Sequence, residues 1–272
     1  MIRCLKFEFK RMFRNPAFWI ALAIGTIIMI LQVIVDNHEY IDNPLKYYMG
    51  AATYPATLYY KWAFISGFLN AYLFIFPIVV ASAYGITYYW DLKSGYVKNV
   101  LINMKRKDYL VAKYIVTFVS GGLVFTIPMI INFAVNAAVL PAIKPFLGST
   151  YMRSHTFLVE LAYNNPIMHF IIFMLIYFVY GGLFACLVLA GSKIFRNSFL
   201  LALFPFAISY LLTVVSKLWF ENIADIGSIA PSKMLFIGNS FTSWIAVVGL
   251  AVVLLVTSFL IYYLGGRRSD VI

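Results

Sequence analysis

The chain has 272 residues, of which 63% are hydrophobic and only 11% are charged, and its formal net charge is +11. A soluble domain has roughly 45–50% apolar and about 25% charged residues, so this composition excludes an ordinary soluble fold and requires lipid around most of the chain. The two cysteines, Cys4 and Cys186, offer no disulfide framework, and the three histidines lack the spacing of metal ligands.

The N-terminal arm, residues 1–15, is predicted to form a short amphipathic helix. Its cations recur at steps of three and four residues, opposite an apolar stripe of Ile2, Leu5, Phe9, Met12 and Phe13. These cations are Arg3, Lys6, Lys10 and Arg14. Asn15 and Pro16 end the helix, because proline disfavours helix at the preceding residue. Two interpretations stand: a basic flank that only orients the protein, or an elbow helix beside a cytoplasmic partner.

Six apolar stretches are each long enough to cross a bilayer as a helix, which takes about 20 residues. In lipid a helix is favoured because it satisfies its own backbone hydrogen bonds. We therefore predict an all-α integral membrane protein whose residues 1–272 form a single transmembrane domain. The predicted spans are Ala17–Val35, Trp62–Thr87, Tyr114–Leu140, Ile167–Ala190, Phe199–Leu218 and Trp244–Leu264.

The charges predict the orientation of these spans. With the N-terminus inside, fifteen of the 21 basic residues but only four of the 10 acidic residues fall on the cytoplasmic side. The other side then carries six of each and is neutral. The positive-inside rule therefore predicts that both termini are cytoplasmic. Because the charge follows the topology, it argues against nucleic-acid binding.

The cytoplasmic loop between the second and third spans, residues 88–113, is longer than a simple connection requires. It is polar and helix-capable, and Tyr96 and Val100 mark one helical face. Lys98 and the basic cluster Lys105–Lys107 remain available to solvent or a partner. The loop either binds a protein or anchors to lipid headgroups.

With these features the sequence resembles the family of type-2 ABC exporter permeases. The resemblance rests on a basic arm ending in Asn-Pro, on six spans, and on a loop with an acidic residue, a glycine, a short helix and a basic cluster. The matching positions are Asp91, Gly95, Leu101, Arg106 and Lys113. Asp91 replaces the more common glutamate, and Asn103-Met104-Lys105 stands where the family often has a proline before the arginine.

The resemblance implies that the loop, including Lys98, and the arm, including Lys6, Lys10 and Arg14, dock on a separate ATPase. It implies two ATPase subunits and a second permease, forming a homodimer or a related heterodimer in a bacterial plasma membrane. ATP and Mg would be bound by the ATPase, so we expect no cofactor on this chain. Membrane lipid is the remaining expected partner.

The chain itself carries no sign of an energy source or of catalysis. No phosphate-binding P-loop is present, since Gly191-Ser192-Lys193 lacks the upstream glycine. The predicted span cores hold essentially no ionisable residues, which argues against a proton-coupled carrier and an intramembrane protease. His169 is expected to be an interfacial side chain. We expect no catalytic residues and no metal site.

Polar residues within the spans are candidates for a substrate pathway or for helix packing. The pathway candidates are Asn70, Asn132 and Asn136; the pairs Gly121-Gly122 and Gly181-Gly182 would allow close packing. Residues 219–243 form a long outer segment, and in the resembled family this position dips back into the membrane as an outer gate. Gly227, Pro231 and Gly238 would permit such breaks.

The sequence therefore predicts the membrane subunit of an ATP-driven exporter of an amphipathic or peptide-like substrate. The alternative is a non-transporting sensor or immunity protein that binds a peptide at its outer loops. A channel is a third possibility.

Overall fold

The structure, a computed structural model, describes residues 1–42, 57–62, 67–145, 156–220, 227–239 and 242–268. Parts of two predicted segments lie outside the described residues: 63–66 in the second span, and 221–226 with 240–241 in the outer segment. The helices are α1 Ile2–Arg14, α2 Pro16–Asp42, α3 Leu58–Trp62, α4 Gly67–Lys93, α5 Tyr96–Asn103, α6 Arg106–Val139, α7 Val159–Asn164, α8 Pro166–Gly191, α9 Ser198–Phe220, α10 Pro231–Met234 and α11 Trp244–Arg268.

Six of these helices are long and apolar enough to cross a membrane, which confirms the predicted number: α2, α4, α6, α8, α9 and α11. The largest difference from the prediction is at α6, which begins at Arg106 rather than at Tyr114. Similarly, α4 continues past Thr87 to Lys93. One charged residue in each extension, Asp91 in α4 and Lys113 in α6, is paired inside the protein, so both helices continue beyond their apolar runs.

The centre of the bundle is the contact between α6 and α8. A β-carbon added to Gly121 would lie 2.4 Å from the Gly181 carbonyl oxygen, and one added to Gly182 would lie 2.7 Å from the carbonyl oxygen of Phe118. The two helices approach so closely only because no side chain stands between their backbones. The predicted packing role of the two glycine pairs is therefore confirmed. Cys186, in the same region, is a fully buried free thiol.

A π-helical turn at Ala81–Gly85 interrupts α4. Such a turn places one extra residue in the helix and is frequent at functional sites. Gly85 lets it pack closely on α8, because a β-carbon there would lie 2.9 Å from Val188. The turn contains Tyr84 and precedes Thr87 and Asp91, and all three lie against Lys113 of α6.

The glycine contact can be tested by adding a side chain to it. We expect Gly121→Val to lower the free energy of unfolding by about 2–3 kcal/mol, because the added atoms would force α6 and α8 apart. The matched control is Gly249→Val on α11, where an added β-carbon meets no atom of the described residues within 4 Å. Denaturant titration in mixed micelles measures both variants, and equal losses would contradict the packing described here.

Candidate functional site

Four charged side chains from three helices meet at one end of the bundle. Glu8 and Arg11 come from α1, Asp91 comes from the last turn of α4, and Lys113 comes from the start of α6. Glu8 and Lys113 are 0% exposed and Asp91 is 2% exposed. Two acids and two bases make the group, here called the charged cluster, electrically neutral. Neutrality is what makes burial tolerable, because an unpaired buried charge is very costly.

Lys113 is the centre of the charged cluster. Its Nζ lies 3.2 Å from Glu8 Oε2 and 3.1 Å from Asp91 Oδ2, and it donates to Thr87 Oγ1 at 2.8 Å. These three acceptors match the three N–H groups of an ammonium ion. The Nζ also lies 4.2 Å from the centre of the Tyr84 ring, an attractive cation–π distance. Lys113 is thus fully satisfied without water.

Asp91 connects α4 to both cations. The Arg11 guanidinium donates to both carboxylate oxygens, at 2.7 Å from Nη1 to Oδ2, while Tyr109 Oη donates to Oδ2 at 3.3 Å. Arg11 also lies 4.6 Å from the centre of the Tyr96 ring, at the start of α5. Burial would lower the pKa of Arg11, but the hydrogen bonds and charge of Asp91 outweigh it and raise this pKa above its ordinary value. Arg11 is therefore a permanent cation.

Glu8 connects α1 to α4 and α6. Its Oε2 accepts from Tyr84 Oη at 2.5 Å and from Lys113 Nζ at 3.2 Å. Its Oε1 lies 3.8 Å from Arg11 Nη1 and accepts no hydrogen bond from the described residues. Through these contacts α1, α4 and α6 share one set of charges, so that none of the three can move alone without breaking a buried ion pair.

The predicted coupling residues fall into two groups. Asp91 and Lys113 lie together inside the charged cluster, whereas Lys98 is exposed on α5. Leu101 and Arg106 are half-buried and line an open cleft of about 430 Å³ with Ile102, Met104 and Lys105. Gly95 separates α4 from α5 with a φ of 71°, in the left-handed region that favours glycine.

The inner face of the arm overlaps the predicted stripe in part, because Met12 is buried and Leu5 and Phe9 pack partly buried against the core. The buried positions of α1 are Cys4, Glu8 and Met12, one helical turn apart, while Ile2 and Phe13 are exposed. Lys6, Lys10 and Arg14 are exposed as well. Neither Glu8 nor Arg11 was among the predicted functional residues. The available signal was that Glu8 is the only acid in an otherwise basic arm, at helical spacing from the inward Cys4 and Met12.

Two of the predicted pathway residues hold helices together. Asn132 Nδ2 donates to Gln32 Oε1 at 3.0 Å, and Asn37 Nδ2 donates to Asn136 Oδ1 at 2.9 Å. Both amides are buried between α2 and α6, so in this structure they serve packing. Asn70, in contrast, is exposed on α4, one turn before the exposed Phe74.

The outer segment reaches into the bundle where the structure describes it. Gly227 has a φ of 70°, Pro231 begins α10, and Gly238 lies in a 3₁₀ turn. The carbonyl oxygen of Leu235 accepts a hydrogen bond from Tyr177 Oη at 2.8 Å. Tyr177 is near the middle of α8, so this segment lies well inside the length of that helix.

His169 is wholly buried rather than interfacial. Its ring lies 6.1 Å from the Trp62 ring and 4.8 Å from the Phe173 ring, measured between centroids. Neither ring nitrogen, nor Trp62 Nε1, makes a hydrogen bond to the described residues. The expectation of an interfacial His169 was therefore wrong, because α7 and the aromatic rings cover the start of α8.

Comparisons with known protein families, with curated protein sequences and with solved structures returned no match for this chain.

The charged cluster can be tested by a double-mutant cycle. We expect Lys113→Met to lower the free energy of unfolding by about 3–5 kcal/mol, because it leaves two buried carboxylates with one cation. Adding Glu8→Gln restores neutrality, so the double variant should lose about 1–3 kcal/mol less than the sum of the single variants. Denaturant titration in mixed micelles measures the three variants.

The matched control for this cycle is Lys98→Met, which removes an exposed lysine on α5 and should change stability by less than about 0.5 kcal/mol. A Lys113→Met variant as stable as this control, or single losses that simply add, would show that the buried ion pairs contribute nothing.

Proposed function

We propose that this chain is the membrane-spanning permease subunit of an ATP-driven exporter and that a separate ATPase drives it. The observation that carries the proposal is the charged cluster, which joins the arm and the α4–α6 connection to two membrane-crossing helices. A connection that served only to link two spans would not need a bidentate arginine, a buried lysine and two carboxylates.

The proposed mechanism uses this rigid connection. A partner that closes on ATP binding would displace α5, which lies between the end of α4 and the start of α6. Because Asp91 and Lys113 are paired in the charged cluster, the displacement would pass to α4 and α6 together with α1. Moving these helices as a unit would switch the permease between inward-open and outward-open states.

The surface of α5 supplies the proposed docking site. Ile102 is 79% exposed, the highest value among the large apolar side chains of the described residues, and Lys98 is exposed one turn earlier. The cleft beside Ile102 could receive a partner side chain. An apolar centre with a polar rim is typical of protein interfaces, and here the polar rim is basic.

The proposed pathway lies on the face that α4 shares with α9. Asn70 and Phe74 are exposed on α4, and Phe74 packs edge-to-face on Phe206 of α9, with 5.0 Å between ring centroids. Tyr210, one turn further along α9, is exposed as well. An amide among aromatic rings suits an amphipathic or peptide-like substrate. A second permease would enclose this face, and the outer segment at Leu235 would gate it.

A matched pair of double variants tests the docking site. Lys98→Glu with Ile102→Asp is expected to abolish co-purification of a P-loop ATPase from the native cells, because it places two negative charges on the proposed contact surface. The control is Ile143→Asp with Lys144→Glu, the same two changes at exposed residues after α6, on the proposed outer side. This control should retain the ATPase.

Substrate export should be lost in the Lys98→Glu, Ile102→Asp variant and retained in the Ile143→Asp, Lys144→Glu control. If no P-loop ATPase co-purifies with the wild-type protein, the result would contradict the proposal and favour a non-transporting sensor. Retention of the ATPase by the Lys98→Glu, Ile102→Asp variant would instead show that the contact surface is not α5.

A further inference from the structure

The arm carries a second surface that the charged cluster does not use. At about 100° per residue, the cations Arg3, Lys6, Lys10 and Arg14 of α1 fall within an arc of about 80°. All four are exposed, and none has an acidic partner among the described residues. Four cations without a carboxylate form an anion-binding surface, here called the basic arc.

An exposed apolar strip adjoins the basic arc. Ile2 and Phe13 lie within about 40° of Lys6 around the helix. They are 72% and 47% exposed, respectively. The helix therefore has three sectors: an inner sector with Cys4, Glu8 and Met12, an apolar strip and the basic arc. Only a membrane interface, where apolar acyl chains meet charged headgroups, satisfies the two outer sectors at once.

The apolar strip continues into the first membrane-crossing helix. Trp19 Nε1 donates to the carbonyl oxygen of Phe13 at 2.8 Å, which fixes the end of α1 against the start of α2. Trp19 is exposed, and so are Ile20 and Ile24. Indole rings favour the membrane interface. The strip thus meets the exposed apolar surface of α2 beside the indole ring of Trp19, whose preference for the interface indicates headgroup depth.

From this geometry we infer that the basic arc is a binding surface for anionic phospholipid headgroups, with the acyl chains lying along Ile2, Phe13 and α2. Lysine and arginine donors suit the phosphate and its negative charge. Since the inner sector of the same helix holds Glu8 and Arg11, lipid bound to the outer sectors should also stabilise the charged cluster. The inference concerns the chain alone and does not depend on the proposed ATPase.

The test compares lipid binding by purified chains. Native mass spectrometry gives the apparent dissociation constant of phosphatidylglycerol and of phosphatidylcholine. The wild type should bind phosphatidylglycerol more tightly, and Lys6→Gln or Lys10→Gln should each weaken that binding about fivefold. Phosphatidylcholine binding should not change. Nanodiscs of phosphatidylglycerol mixed equally with phosphatidylcholine should raise the thermal unfolding midpoint above that in phosphatidylcholine alone.

Two charge-matched quadruple variants separate the basic arc from general surface charge. The arc variant is Arg3→Gln, Lys6→Gln, Lys10→Gln and Arg14→Gln. The control variant is Lys93→Gln, Lys98→Gln, Lys105→Gln and Lys107→Gln, all exposed residues of α4 to α6. The arc variant should lose the preference for phosphatidylglycerol and the thermal shift, whereas the control should keep both.

Three outcomes would overturn the inference. The wild type could show no preference, the control variant could lose as much as the arc variant, or inorganic phosphate added to phosphatidylcholine discs could stabilise the wild type as well as phosphatidylglycerol does. Should the arc variant fail to fold, the double variant Lys6→Gln with Lys10→Gln changes only two exposed side chains and decides the same question.

Discussion

Lys113 is a fully buried ammonium group, and its charge is sustained because Glu8 Oε2 and Asp91 Oδ2 lie 3.2 and 3.1 Å from its Nζ. Desolvating such a cation costs several kcal/mol, which only close partners of opposite charge can offset. Each partner comes from a different helix. The requirement to satisfy one lysine therefore determines where α1 lies, where α4 ends and where α6 begins.

The rest of the bundle keeps these helices at the necessary distances. Gly121 and Gly181 let α6 approach α8, and Gly85 lets the π-helical turn of α4 approach the same helix. At the other end, buried amides hold α2 against α6, and Tyr177 Oη donates a hydrogen bond to the carbonyl oxygen of Leu235 in the outer segment. The charged end is thus tied by several ion pairs. The outer segment is held instead by apolar packing, since its side chains from Met234 to Ile237 are buried in the core.

The spans were predictable from sequence because a bilayer requires long apolar runs, whatever their neighbours. The start of α6 was not predictable from sequence, because a charged residue such as Lys113 is typical of a loop. Only the structure shows that Glu8 and Asp91 surround it. Glu8 and Arg11 were missed for the same reason: their burial is decided by α4 and α6, which are distant in sequence. Asp91 and Lys113 were selected through the family resemblance, and the structure brings these two together while leaving Lys98 outside.

We conclude that the charged cluster makes α1 and the α4–α6 connection one rigid unit. Spin labels at Lys10→Cys and Lys98→Cys, with Cys4 and Cys186 replaced by alanine, report this directly through the distance distribution from double electron–electron resonance. A single narrow distribution is predicted, and it should broaden when Lys113→Met removes the shared cation. A distribution that is broad from the start, or that stays narrow in the Lys113→Met protein, would contradict the claim.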